Sequence, residues 1–116
     1  MQNGTRLAAV DLGSNSFRLE IGQYDDGQIE RAEYYKEIVR QGNGLDADRN
    51  LTPEALQRGW DCLARFGERL AGFKRVQVRA VATQTLREAR NRAEFLAKGR
   101  QLLGFPIDVI PGREEA

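Results

Sequence analysis

Apolar residues run in short blocks over the first forty positions and spread to helical spacing after about position 50. Leu7 to Val10 are all apolar, which predicts a buried strand over 6–12. Residues 16–24 alternate: Phe17, Leu19 and Ile21 point one way, Arg18, Glu20 and Gly22 the other. That period of two predicts a half-buried strand. Asp25-Asp26-Gly27 signals a turn, and a third strand follows over about 28–39, with Ile29, Tyr34, Tyr35, Ile38 and Val39. Three strands with short connections make an antiparallel meander.

Gln41 to Leu51 is a polar loop with Gly42 and Gly44. A helix starts at its end: Thr52 is an N-cap, Pro53 suits the first helical position, and Glu54 suits the positive end of the helix dipole. Leu56, Trp60, Leu63 and Leu70, with Phe66 beside them, form its apolar stripe, and Gly72 ends it. Residues 75–82 are expected as a strand, and Thr83 to Ala89 as a junction. A second long helix begins at Asn91, which pairs with Glu94 in the pattern of a capping box, and ends at Gly104. Ile107 to Ile110 is the last strand, and Pro111-Gly112 leads into a helix start.

This order predicts one α/β domain. The first three strands are antiparallel neighbours, and the later strands alternate with helices and should be parallel. Ligands of open α/β sheets sit at the carboxyl ends of the strands. Asp11, Thr83 and the Pro111–Glu115 segment all fall at such ends.

Composition narrows the chemistry. The chain has 116 residues and a net charge of +1, which argues for one domain and against a dedicated nucleic-acid surface. There is no histidine, so a Ser-His-Asp triad, a Cys-His pair and a His-liganded zinc are excluded within the chain. Acid–base work falls to Asp, Glu, Lys or Tyr. The single cysteine, Cys62, forms no internal disulfide and sits at an apolar helix position as a small hydrophobe. No signal segment or long apolar run is present, so the expected location is cytoplasmic, with no membrane partner. Trp60 and Phe66 read as core, and Tyr34 and Tyr35 as strand packing.

The stretch Leu7-Ala8-Ala9-Val10-Asp11-Leu12-Gly13-Ser14-Asn15-Ser16 carries the most chemistry. An apolar strand holds Asp11 at the sheet end, where a carboxylate can hold a hydrated cation. Gly13 lets an anion approach the backbone, and the N–H groups of Gly13, Ser14, Asn15 and Ser16 can form an anion nest. The pair suggests a metal-phosphate site. The same residues also suit a plain hairpin turn.

Three segments resemble the exopolyphosphatase and guanosine pentaphosphate phosphohydrolase family of the actin, Hsp70 and sugar-kinase superfamily. They are Ala9–Leu19, Ala82–Asn91 and Ile110–Ala116, in the family's order. The resemblance implies an α/β fold of the ribonuclease-H-like (actin-like ATPase) type, a half-domain with a five-stranded mixed sheet and helices. It implies that Asp11 lies on the Mg2+ side of the site and that Gly13, Ser14, Asn15 and Ser16 cradle phosphoryl oxygens. Thr83 and Arg87 would line the groove, Arg87 as a phosphate partner, and Glu115 would be the general base. The implied reaction releases terminal orthophosphate from inorganic polyphosphate or guanosine pentaphosphate in a homodimeric parent. The family continues into a second glycine-rich loop that this chain does not contain. Residues 1–116 are therefore expected to be the first half of an N-terminal phosphatase domain, inactive alone. A non-catalytic phosphate- or nucleotide-binding module and an ATP-dependent sugar or acid kinase are the rival readings.

Overall fold

The computed structural model describes residues 2–13, 15–40, 47–82 and 89–110. Strand β1 (Thr5–Leu12) is the centre of a five-stranded sheet. It pairs antiparallel with β2 (Ser16–Asp25), which pairs antiparallel with β3 (Gln28–Ile38). On its other side β1 pairs parallel with β4 (Val78–Ala82), and β4 pairs parallel with the short β5 (Asp108–Val109). The strand order is β3-β2-β1-β4-β5, so the expected meander and the parallel half are both present. The last strand is shorter than the expected Ile107–Ile110.

Helix α1 (Pro53–Arg69) starts where the capping chemistry says it should, with the Thr52 hydroxyl accepting from the Ala55 N–H at 3.2 Å. The chain leaves it through Gly72, whose φ of +92° is left-handed. Helix α2 (Arg92–Leu103) ends at the left-handed Gly104. The Trp60 indole N–H donates to the Phe95 carbonyl at 3.1 Å and the two rings stack, while Gly67 lies against Leu102 and Gly99 against Leu63. These contacts join early to early and late to late positions, so the two helices run parallel.

The helices cover one face of the sheet. Ala8, Val10, Leu12, Phe17, Leu19, Ile21, Ala80 and Ala82 are buried there in one cluster with Leu56, Cys62, Leu63, Phe66, Phe95 and Leu103. The alternation read from β2 is the alternation observed, with Arg18 exposed and its neighbours Phe17 and Leu19 fully buried. The other face carries Ala9, Asp11, Arg18, Glu20, Arg31 and Tyr34 around a shallow hollow. Tyr34 is exposed on this face, with the Arg31 guanidinium over its ring.

Two local expectations are corrected. Residues 75–77 wind into a 3-10 turn before β4, because the Gln77 side chain accepts from the Lys74 N–H at 2.7 Å and donates to the Arg6 carbonyl at 2.8 Å. Asn91 does not cap α2 through its side chain. Its amide instead accepts from the Leu51 N–H at 2.8 Å and donates to the Leu51 carbonyl at 3.1 Å, in the manner of a neighbouring strand. The junction from Thr83 and the helix start after Pro111 lie largely outside the described residues. No helix among the described residues is long and apolar enough to cross a membrane.

Candidate functional site

The parallel half of the sheet brings three chain exits to one edge. Leu12 is in register with Ala82, and Ala82 with Val109. The Ile110 N–H donates to the Ala82 carbonyl at 3.0 Å. The residues that precede the three segments, Leu12, Ala82 and Ile110, thus lie side by side at the carboxyl edge of the sheet. Ser14, Thr83, Arg87 and Glu115 themselves lie outside the described residues.

Asp11 is the last residue of β1 on the open face, between the buried Val10 and Leu12. Arg18 faces it directly across the β1–β2 ladder. Ala9, Asp11, Arg18, Glu20, Arg31 and Tyr34 line a hollow of about 250 Å³. Arg31 is already committed: its Nε donates to Glu20 at 3.0 Å and its guanidinium lies 4.7 Å from the centre of the Tyr34 ring. Among the described residues nothing pairs with Arg18. The Asp11 carboxylate and the Arg18 guanidinium therefore lie together on the open face at the end of the β1–β2 hairpin. The sequence reading gave Arg18 no role. The signal was available, since a hairpin closing at residues 13–16 sets residue 18 opposite residue 11.

The turn itself only partly fits the expected nest. The Gly13 N–H donates to the Ser16 carbonyl at 3.1 Å, closing the turn. A Cβ on Gly13 would stand 3.0 Å from that same oxygen. A side chain there would crowd the turn, and the Gly13 N–H is already engaged within it. The Asn15 N–H has no acceptor among the described residues. The Asn15 carbonyl accepts from both the Val39 and Arg40 N–H groups at 2.9 Å. Ser16 is buried although polar.

The ionised groups with displaced pKa values sit elsewhere, on the helix-covered side of β3. Glu33 accepts hydrogen bonds from Tyr35 and Arg6, which hold its carboxyl below the usual range and push the Tyr35 phenol up. Arg65 pairs with Glu37 (Nε to oxygen 2.8 Å) and lowers the Glu37 pKa. Burial pushes the Cys62 thiol up to about 12, with the Glu37 charge adding to it, so Cys62 is a core residue and not a nucleophile. Two larger hollows, about 530 and 600 Å³, flank Phe73 at the opposite edge of the sheet. Neither contains a residue of the three motifs.

The sequence pattern described as the Ppx/GppA phosphatase family matches residues 21–116. The chain belongs to the Ppx/GppA phosphatase family. A guanosine-5'-triphosphate,3'-diphosphate pyrophosphatase of Vibrio cholerae is 50% identical over 109 residues, which is 94% of this chain and 22% of the relative. The Vibrio vulnificus protein of the same name is 47% identical over 98% of this chain and 23% of its own length. The chain thus spans less than a quarter of the curated relatives it matches. Among solved structures, the Aquifex aeolicus Ppx/GppA family member superposes with a TM-score of 0.86 at 30% identity, over 96% of this chain and 36% of that one. An exopolyphosphatase from Cytophaga hutchinsonii gives 0.87 at 26% identity, over the same shares. The Ppx/GppA fold is the actin-like ATPase type expected from the motifs.

Proposed function

We propose that this chain is the phosphate-handling part of a phosphoanhydride hydrolase that removes terminal orthophosphate from guanosine pentaphosphate, with inorganic polyphosphate as the alternative substrate. The observation that carries the reading is the register Leu12–Ala82–Val109, which sets the strand ends before all three motif segments next to one another. The names of the Vibrio relatives favour the guanosine substrate; the Cytophaga neighbour keeps polyphosphate in play.

In this reading Asn15 and Ser16 offer N–H donors to phosphoryl oxygens, with Ser14 beside them and Gly13 holding the turn closed. Arg18 and Arg87 neutralise phosphate charge, and Thr83 lines the groove. Glu115 takes a proton from water as the water oxygen attacks the terminal phosphorus. The bond between that phosphorus and its bridging oxygen breaks, and the electrons leave with the shortened phosphate chain. Catalysis of this kind rests on positioning and charge neutralisation.

Phosphatases of this family are generally metal-dependent. Asp11 fits magnesium: it is a carboxylate near the end of β1 beside the turn, while the Glu20 carboxylate of the same hollow is paired with Arg31. Magnesium is usually held by one or two carboxylates together with substrate phosphates and water. When bound it would supply charge neutralisation on the phosphate oxygens. Residues 1–116 would be the first half of an N-terminal phosphatase domain in a cytoplasmic, homodimeric enzyme.

The test is phosphate release from each substrate by a polypeptide of the relatives' length that begins with this chain. Glu115→Gln should lower turnover by about a hundredfold or more with KM little changed. Unchanged turnover would remove Glu115 from the reaction, and binding without any release by the unsubstituted protein would favour a non-catalytic phosphate-binding module.

A further inference from the structure

The turn after β1 is braced from outside by one arginine of α1. The Asn15 carbonyl accepts from the Val39 and Arg40 N–H groups, both at 2.9 Å. The carbonyls of those two residues are in turn held by Arg58: its Nε donates to Val39 at 2.8 Å and its terminal nitrogen to Arg40 at 3.3 Å. Arg40 has a φ of +51°, a left-handed conformation that costs a residue with a Cβ about 1 kcal/mol or more and persists only where neighbours hold it. Here hydrogen bonds hold it on both sides, its N–H by Asn15 and its carbonyl by Arg58. Val39 is buried, so this stretch is anchored in the core as well.

We propose that Arg58 is a positioning residue for the phosphate turn, acting through Val39 and Arg40 on the Asn15 carbonyl. The proposal rests on the phosphate reading of that turn. A peptide unit is planar, so fixing the Asn15 carbonyl orients the peptide that follows it, whose N–H belongs to the buried Ser16. The guanidinium suits the task because its planar fork reaches two successive carbonyls at once. A lysine has the charge without the fork.

The proposal predicts that loss of Arg58 weakens phosphate binding in molecules that remain folded. The experiment is ¹⁵N NMR titration of this chain with inorganic tripolyphosphate and magnesium, for the wild type, Arg58→Met, Arg58→Lys and Arg65→Met. Arg65→Met is the control: it removes another tie between α1 and β3, the pair with Glu37, without touching Val39 or Arg40. Thermal melting reports the stability of each variant. We expect Arg58→Met to weaken binding about tenfold, Arg58→Lys to fall between it and the wild type, and Arg65→Met to lower stability while keeping wild-type affinity. Arg58→Lys carries the test if Arg58→Met does not fold. Wild-type affinity in both Arg58 variants would overturn the role of Arg58 and leave the phosphate reading standing. Equal weakening in Arg58→Met and Arg65→Met would also overturn it, as a general loss of rigidity. A wild-type chain that shows no shifts would overturn the phosphate reading and this role with it.

Discussion

Gly67→Ala should destabilise the protein although it improves helix propensity. Gly67 lies in the last turn of α1, against the backbone at the end of α2. A Cβ built there would stand 2.3 Å from the Leu102 carbonyl oxygen and 3.1 Å from that of Leu103. Ordinary contact begins near 3.4 Å, so the backbone of α2 must retreat by about 1 Å (3.4 − 2.3), and backbone in a packed helix has little freedom to do so. Overpacking of this kind costs about 1–3 kcal/mol. Replacing glycine by alanine in a helix returns about 1 kcal/mol. With backbone as the obstacle the upper part of the cost applies, leaving a net loss of about 1–2 kcal/mol. For a chain of this length that lowers the melting temperature by about 4–8 °C. Gly99→Ala is the internal comparison. Its Cβ would meet the end of the Leu63 side chain at 2.9 Å rather than backbone, so it should stay within about 1 kcal/mol of wild type. Melting followed by circular dichroism reads both. A Gly67→Ala protein that melts at or above wild type, or a larger loss for Gly99→Ala, would refute the argument from helix contact.

The Cys62 thiol should resist labelling by an exchange reagent at pH 8 in the native protein and react at once in urea, since it is buried and its pKa is raised; stoichiometric labelling of native protein within seconds would show that α1 opens readily. Its raised pKa also has a stability consequence: the contribution is whole below the ordinary value near 9.0 and is lost as pH rises from there through about 12, so wild type should lose stability over that window more steeply than Cys62→Ala. Glu37 acts at the other end of the scale. Its lowered pKa adds stability above the ordinary 4.5 that is lost as pH falls through the folded value, so Glu37→Gln should flatten the fall in melting temperature below pH 4.5, and an unchanged slope would show that the Arg65 pair contributes nothing.

What could be read from sequence was what neighbouring residues decide among themselves. The apolar run before Asp11, the alternation of β2, the Thr52-Pro53-Glu54 start of α1 and the left-handed exit at Gly104 are all local, and the structure has each. The misreadings have tertiary causes. Residues 75–77 look like strand, yet Gln77 bonds Arg6, 71 residues away. Asn91 has the spacing of a cap, yet its amide is taken by Leu51, 40 residues away. In the proposed site, the position of Asp11 near the end of β1 was legible from the apolar run before it. Arg18 was legible in principle from hairpin arithmetic. The bond from the Gly13 N–H to the Ser16 carbonyl was not legible, because it depends on the turn geometry. Arg58 was out of reach, since its two acceptors lie 18 and 19 residues away and only folding brings them together.

The central claim is that phosphate is held at the end of the β1–β2 hairpin. The most direct test is the map of amide shifts in this chain on addition of tripolyphosphate with magnesium. The account predicts the largest shifts at Asn15 and Ser16, with Asp11, Arg18, Val39 and Arg40 following. Shifts centred instead on Arg6, Phe73 and Lys74, which line one of the two hollows at the opposite edge, would contradict it.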